Sequence, residues 1–254
     1  MNKLVSKLFK LIPEGGLKNN IRCAMYNRMQ SDFRISYSSG RFTVEKDGYS
    51  MVFNENPYQQ FLNDRDYFHK YRVQPGDTLI DGGAFRGMLV VYAAKLVGAD
   101  GLVIALEPDP EQYDRLVKNI ELNKVTNVRV IKKGLWSSTT TLKFRSGKEL
   151  SSSFIKADEE NSENIISVPV TTIDEILAGD DLKGKLLIKM NIEGAEIEAV
   201  KGANATIKKY RPHFVIRTNH NVEGRYTDDR VSATLKGYGY NPETKVLHEQ
   251  TTFA

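Results

Sequence analysis

The stretch Leu79-Ile80-Asp81-Gly82-Gly83-Ala84-Phe85-Arg86-Gly87 narrows the fold of this chain more than any other. Residues 78–81 read as a strand, and residues 87–97 read as a helix. The glycines between them let the backbone come close to a ligand, and the helix N-terminus offers free N–H groups to it. The same strand-to-helix texture recurs over the rest of the chain. Strands are expected at 102–106, 128–131, 186–191 and 213–217, with helices at 109–123, 173–177, 193–210 and 228–236. A terminal hairpin is expected within 240–253. Strands alternating with helices imply an open, largely parallel sheet with helices on both faces. Asp109, Pro110 and Gln112 give the second helix its start signal: a cap, a proline at the first position and a glutamine three residues after the cap. A Ser/Thr-rich excursion with short strands at 141–144 and 166–171 interrupts the alternation.

In open α/β sheets ligands bind beyond the carboxyl ends of the strands, where this glycine loop lies. The dinucleotide fingerprint needs glycines at relative positions 1, 3 and 6. Counted from Gly82 the third position is Ala84, and counted from Gly83 it is Phe85, so both frames fail. The pattern present is D-x-G-x-x-x-G, on Asp81, Gly83 and Gly87. An acidic residue closing the first strand suits a ligand that carries an ammonium group, as the methionyl end of S-adenosylmethionine (SAM) does. Glu107 ends the next strand, 20 residues beyond Gly87. A carboxylate there can accept both hydroxyls of a ribose. The same distance occurs in dinucleotide sites, so Glu107 alone does not discriminate.

A second constellation runs from Leu187 through Lys189, Asn191, Glu193 and Glu196 to Gly202 and Ala203. It reads as a strand, a tight turn and a helix. Lys189 and Asn191 share one strand face by the period of two. Glu193 and Glu196, at i and i+3, are expected on one side of the helix start. Acidic residues there also simply complement the helix dipole.

Taken together, PGDTLIDGGAFRG (75–87), VIALEPDPEQYDRLVKNIELN (103–123), VPVTTIDEIL (168–177) and IKMNIEGAEIEAVKGA (188–203) resemble, in order and spacing, the FkbM family of SAM-dependent methyltransferases. The resemblance covers roughly half the chain. It implies a class I methyltransferase fold, Rossmann-like, with a seven-stranded sheet containing one antiparallel strand. It implies SAM as cofactor and methyl transfer to a hydroxyl on a sugar, lipid-linked or other secondary-metabolite acceptor. On this basis Asp81, Gly83, Ala84, Phe85, Gly87, Glu107, Pro108, Gly134 and Leu135 are the expected cofactor residues. Trp136 is either part of the adenine pocket or an ordinary core aromatic. Lys189, Asn191 and Glu193 are expected on the acceptor side with Glu196. Glu193 is the expected base, His220 the alternative, and Lys189 a polariser or a pairing partner. The family usually has Asp where this chain has Asn191. If that Asp is a base, another group must replace it here; if it orients ligand, Asn191 keeps the acceptor atom. An RNA or protein methyltransferase and a degenerate SAM-binding scaffold are the rival readings.

Charge separates the two ends of the chain. Residues 1–30 carry six Lys and Arg against Glu14, a net +5, so the rest of the +4 chain sums to −1. The body has no broad cationic surface of the kind nucleic acids demand, and no nucleic-acid partner is expected. In residues 3–12, Leu4, Val5, Leu8, Leu11 and Ile12 share one helical face and Lys3, Lys7 and Lys10 the other. This segment is read either as a basic anchor on the inner face of a membrane or as a helix packed on the body. The chain is expected in the cytoplasm, its oligomeric state left open. A helix near 17–30, an antiparallel meander over 33–53 and a helix over 57–72 complete an N-terminal extension of residues 1–72, ahead of a methyltransferase domain at 73–254. One cysteine, Cys23, excludes an internal disulfide, and four scattered histidines give no zinc-helix spacing, so no metal is expected.

Overall fold

The computed structural model describes residues 12–146, 153–154, 165–222 and 224–254. Most of the amphipathic segment 3–12 lies outside these residues. Helix α1 (Gly16–Met29) leads into the meander β1 (Arg34–Ser38), β2 (Arg41–Lys46) and β3 (Tyr49–Phe53). The aromatic helix expected over 57–72 is shorter. It is α2 (Tyr58–Asp64) plus one 3-10 turn, Arg65–Phe68.

The β-α alternation follows. It comprises β4 (Thr78–Gly82), α3 (Met88–Val97), β5 (Leu102–Leu106), α4 (Pro110–Leu122) and β6 (Val128–Ile131). The excursion forms a small sheet of β7 (Gly134–Leu135), β8 (Thr140–Arg145), β9 (Ser153–Phe154) and β10 (Ile165–Thr171), and α5 (Ile173–Ile176) closes it. Then come β11 (Leu186–Met190), α6 (Glu196–Lys201), α7 (Asn204–Tyr210), β12 (His213–Arg217), the short hairpin β13 (Asn221–Val222) and β14 (Arg225–Tyr226), α8 (Asp228–Gly237), β15 (Glu243–Val246) and β16 (Gln250–Phe253).

The main sheet has seven strands in the order β15-β16-β12-β11-β4-β5-β6. Only β16 runs against its neighbours, paired antiparallel to both β12 and β15. This is the class I methyltransferase fold. Its central strands β4 and β11 bury all five of their residues, the charged Asp81 and Lys189 included, as strands covered on both faces do. On one face α3 packs with the meander, through Phe42, Val44, Met51 and Phe53, into a single cluster. The other face packs α5 to α8 through Ile188, Val200, Ile207, Phe214 and Val231.

One expected element breaks. The helix read over 193–210 is two short helices preceded by a turn. Glu193 stands in the left-handed region at φ 54°, and α6 begins only at Glu196. The chain turns again at Gly202, where a side chain would strike the backbone carbonyl of Trp136. The helix expected from 193 therefore survives only as Glu196–Lys201 and Asn204–Tyr210, after the turn at Glu193.

Candidate active site

The carboxyl ends of β4, β5 and β11 open into a cleft of about 650 Å³, counting the space open to solvent at its mouth. Gly83 and Phe85 line it from the glycine loop, Glu107 and Pro108 from the end of β5, Gly134 and Leu135 from β7, and Asn191 and Glu193 from the turn after β11. Asp81, Ala84, Gly87, Lys189 and His220 do not line it; they sit behind its walls. Trp136 does not line it either, and its N–H donates to Thr171 O at 2.9 Å.

The glycine loop is built by backbone. The N–H groups of Gly83 and Ala84 donate to Leu106 O at 3.1 and 3.0 Å, tying the loop to β5. Gly83 has φ 72°, and a Cβ there would strike the Asn191 carbonyl. Its glycine is thus required by the crossing of two loops. Gly87, also left-handed, caps α3 above Leu116.

Glu107 joins these loops. One carboxylate oxygen accepts from Phe85 N–H at 2.8 Å and the other from Asp109 N–H at 2.9 Å. Burial dominates its pKa and raises it; the two N–H groups pull the other way, and the balance stands at about 7. Each oxygen retains a lone pair, so the group can still accept the two hydroxyls of a ribose.

Asp81 faces inward rather than toward the cleft. Strand pairing places Lys189 beside it, and the Lys189 ammonium donates to Asp81 Oδ1 at 2.7 Å. The same ammonium reaches Gly83 O at 3.0 Å and lies over the Tyr67 ring, 5.0 Å from its centre. Burial works against the Lys189 charge, but Asp81, Tyr67 and Asp64 outweigh it and raise its pKa. Of the two roles read for Lys189, the pairing one is what this geometry displays. Arg217, fully buried, donates to Tyr67 Oη at 3.2 Å and to Thr251 Oγ1 at 2.8 Å. Tyr67 therefore sits between two cations, and the N-terminal extension is joined to the sheet at that point.

On the acceptor side, Glu193 and Glu196 do not share a helix face, because Glu193 precedes the helix. His220 brings them together instead. Its Nε2 is 3.5 Å from Glu193 Oε1 and its Nδ1 is 2.7 Å from the buried Glu196 Oε1. Glu196 Oε1 also accepts from Ile192 N–H at 3.1 Å, which holds the turn. Burial lowers the His220 pKa, but the two glutamates more than reverse this and raise it to about 10. The two glutamates thus favour the imidazolium form of His220, the form that has no lone pair to take a proton.

Five cleft residues escaped the sequence reading: Leu106, Gln112, Lys133, Phe144 and Ile192. Gln112 carried a signal that pointed elsewhere, to helix capping. Asp109 Oδ1 does accept from the N–H groups of Glu111 and Gln112, at 2.9 and 3.2 Å. The reciprocal bond is absent, because Glu107 takes the Asp109 N–H that a capping glutamine would take. Phe144 arrives from the small sheet, and nothing local in the sequence marks it.

A Methyltransferase FkbM domain model matches residues 81–242. The chain belongs to the FkbM methyltransferase family. The hexuronic acid methyltransferase AglP of Haloferax volcanii is 28% identical over 118 residues, 46% of this chain and 47% of that protein. The structure of an FkbM methyltransferase from Methylobacillus flagellatus superposes with a TM-score of 0.52 at 20% identity, covering 73% of this chain and 45% of that one. The chain thus spans about half the length of the relatives it matches. The family cofactor is SAM, and the cleft fits it: a buried carboxylate with free lone pairs, a glycine at the loop crossing and an apolar wall of Leu106, Leu135 and Phe144. Among the described residues no group of three or more His, Cys, Asp and Glu could hold a metal ion, and no helix is long and apolar enough to cross a membrane.

Proposed function

We propose that this chain transfers a methyl group from SAM to a hydroxyl of a sugar, with Glu193 as the base. SAM, when bound, supplies a methyl group already activated by its sulfonium. The protein's own work is then to hold the acceptor oxygen in line and to remove its proton. Alignment alone can supply several kcal/mol of the barrier.

The position of Glu193 carries the reading. Two carboxylates line the cleft, and Glu107 is fixed by two N–H groups on the side suited to the ribose. Glu193 is at the mouth with its side chain 32% exposed, where an acceptor enters. It holds a left-handed backbone conformation that a β-carbon disfavours, a form of strain that clusters at functional sites. Behind it His220 stands 3.5 Å from the carboxylate, and Glu196 pairs with the other ring nitrogen. The hexuronic acid named for the Haloferax relative supports a saccharide acceptor.

A uronic acid offers a second oxygen nucleophile, its carboxylate, which needs no base. The test uses the purified chain, radiolabelled SAM and a panel of neutral and uronic-acid oligosaccharides. A hydroxyl acceptor gives a methyl ether that survives mild alkali, and Glu193→Gln lowers the rate by about two to four orders of magnitude. Release of methanol by mild alkali, with Glu193→Gln near full rate, would show the carboxylate to be the acceptor. S-adenosylhomocysteine binding should be the same in both proteins.

A further inference from the structure

Gln112 is 2% exposed and lines the cleft, yet the helix it begins makes no use of its side chain. Its amide is held from behind. Arg86 Nε donates to Gln112 Oε1 at 3.3 Å, and Arg86 is itself fixed by Glu55 at 2.6 Å and by stacking on the Phe85 ring at 4.7 Å. A guanidinium has only donors, so the amide must turn its oxygen toward Arg86. This leaves the Gln112 Nε2 group with two N–H bonds and no hydrogen-bond partner among the described residues. A buried donor left unmade is costly, so native structures seldom keep one without a reason.

The neighbours suggest what it meets. Phe85, adjacent to Arg86, donates to Glu107, so Gln112 and Glu107 are held by consecutive residues of one loop. In its ionised form Glu107 offers only acceptors to the cleft. A hydroxyl that donates its proton to Glu107 keeps lone pairs of its own, and these need a donor.

We propose that the Gln112 side-chain amide donates to a ribose hydroxyl oxygen of SAM, completing with Glu107 an acceptor-and-donor pair that reads the sugar diol. Glu55 and Arg86 are positioning residues that set which way the amide faces. This rests on SAM being the cofactor.

The test is calorimetry with S-adenosylhomocysteine and its 2′-deoxy and 3′-deoxy forms, on the wild-type chain and on Gln112→Leu. The variant should bind the parent nucleoside roughly threefold to tenfold more weakly, the worth of one hydrogen bond. That loss should vanish for the deoxy form lacking the contacted hydroxyl, and persist for the other. Gln112→Asn, which keeps the amide but withdraws it by one methylene, goes through the same cycle and serves if the leucine variant does not fold. Equal affinity of wild type and variants for the parent would overturn the proposal. So would an identical loss across all three nucleosides, which marks a structural effect. A wild-type chain that binds none of the three would overturn the cofactor reading itself.

Discussion

Along the wall formed by β4, β5 and α4, backbone shapes the cleft. Gly83 and Ala84 bond to Leu106 O, Glu107 is held by the N–H groups of Phe85 and Asp109, and α4 starts on its own aspartate cap. Behind the wall formed by the turn after β11, charged side chains hold the structure: Lys189 against Asp81, Arg217 against Tyr67, and His220 between Glu193 and Glu196. The first wall resists change through loop geometry, and most of its parts lie within 30 residues of one another. The second depends on pairs up to 150 residues apart. Its stability therefore hangs on charges that are expensive to strand.

The heaviest blow to that second wall is Lys189→Met. It leaves the fully buried Asp81 carboxylate without its cation, and breaking a buried pair from one side costs about 3–5 kcal/mol. In a chain of this size the melting temperature should drop by roughly 10 °C. Pairing it with Asp81→Leu, which removes the stranded charge, should recover most of the loss in a thermal melt. A Lys189→Met chain that melts normally but turns over slowly would instead make Lys189 an acceptor-side group, and the contrast between the walls would fail.

The contrast also explains what could be read in advance. The open, largely parallel sheet, the α4 cap, Gly83 and Glu107 follow from local patterns: strand-helix alternation, glycines and a proline after an aspartate; the count of seven strands and the cleft-lining Phe85 follow from the family resemblance. The His220 cluster does not, because its members follow β11 and β12 on segments that only the pairing of those strands makes neighbours. Asp81 could be read as a carboxylate at a strand end, but not as one facing Lys189 across a strand pair. The helix expected at 193–210 failed for a related reason. Its start is displaced by the left-handed turn at Glu193, and at Gly202 the chain passes so close to the Trp136 carbonyl, 66 residues distant in sequence, that only glycine fits there.

A smaller effect probes the backbone-built wall. Burial raises Glu107 to about 7, from an ordinary value of 4.5. The folded chain therefore holds a proton there that the unfolded chain has lost. Glu107's contribution to stability is greatest below its ordinary value and declines as pH rises toward 7. Ribose hydroxyls donate to the ionised form, so binding runs the other way. Affinity for S-adenosylhomocysteine should rise about tenfold between pH 6 and pH 8. Glu107→Gln should bind more weakly and show no such slope by calorimetry at the two pH values.

The smallest effect is expected where the two walls touch. The N–H of Asn191 donates to Gly82 O at 3.1 Å, its carbonyl packs on Gly83, and it lines the cleft beside Glu193. These backbone contacts survive Asn191→Asp, so the fold and the loop crossing should be unchanged. The substitution adds one charge to a cleft open to water, where such a charge is worth about 1 kcal/mol or less. SAM, with its sulfonium charge, should gain less than about fivefold in affinity, and S-adenosylhomocysteine, which lacks that charge, should gain nothing. If Glu193 is the base, a second carboxylate two residues away has no proton to take, and the rate should stay within the same fivefold. A rate that climbs by orders of magnitude, with Glu193→Gln tolerated in that background, would place the base at 191. The turn at Glu193 and its His220 partner would then serve only to shape the wall.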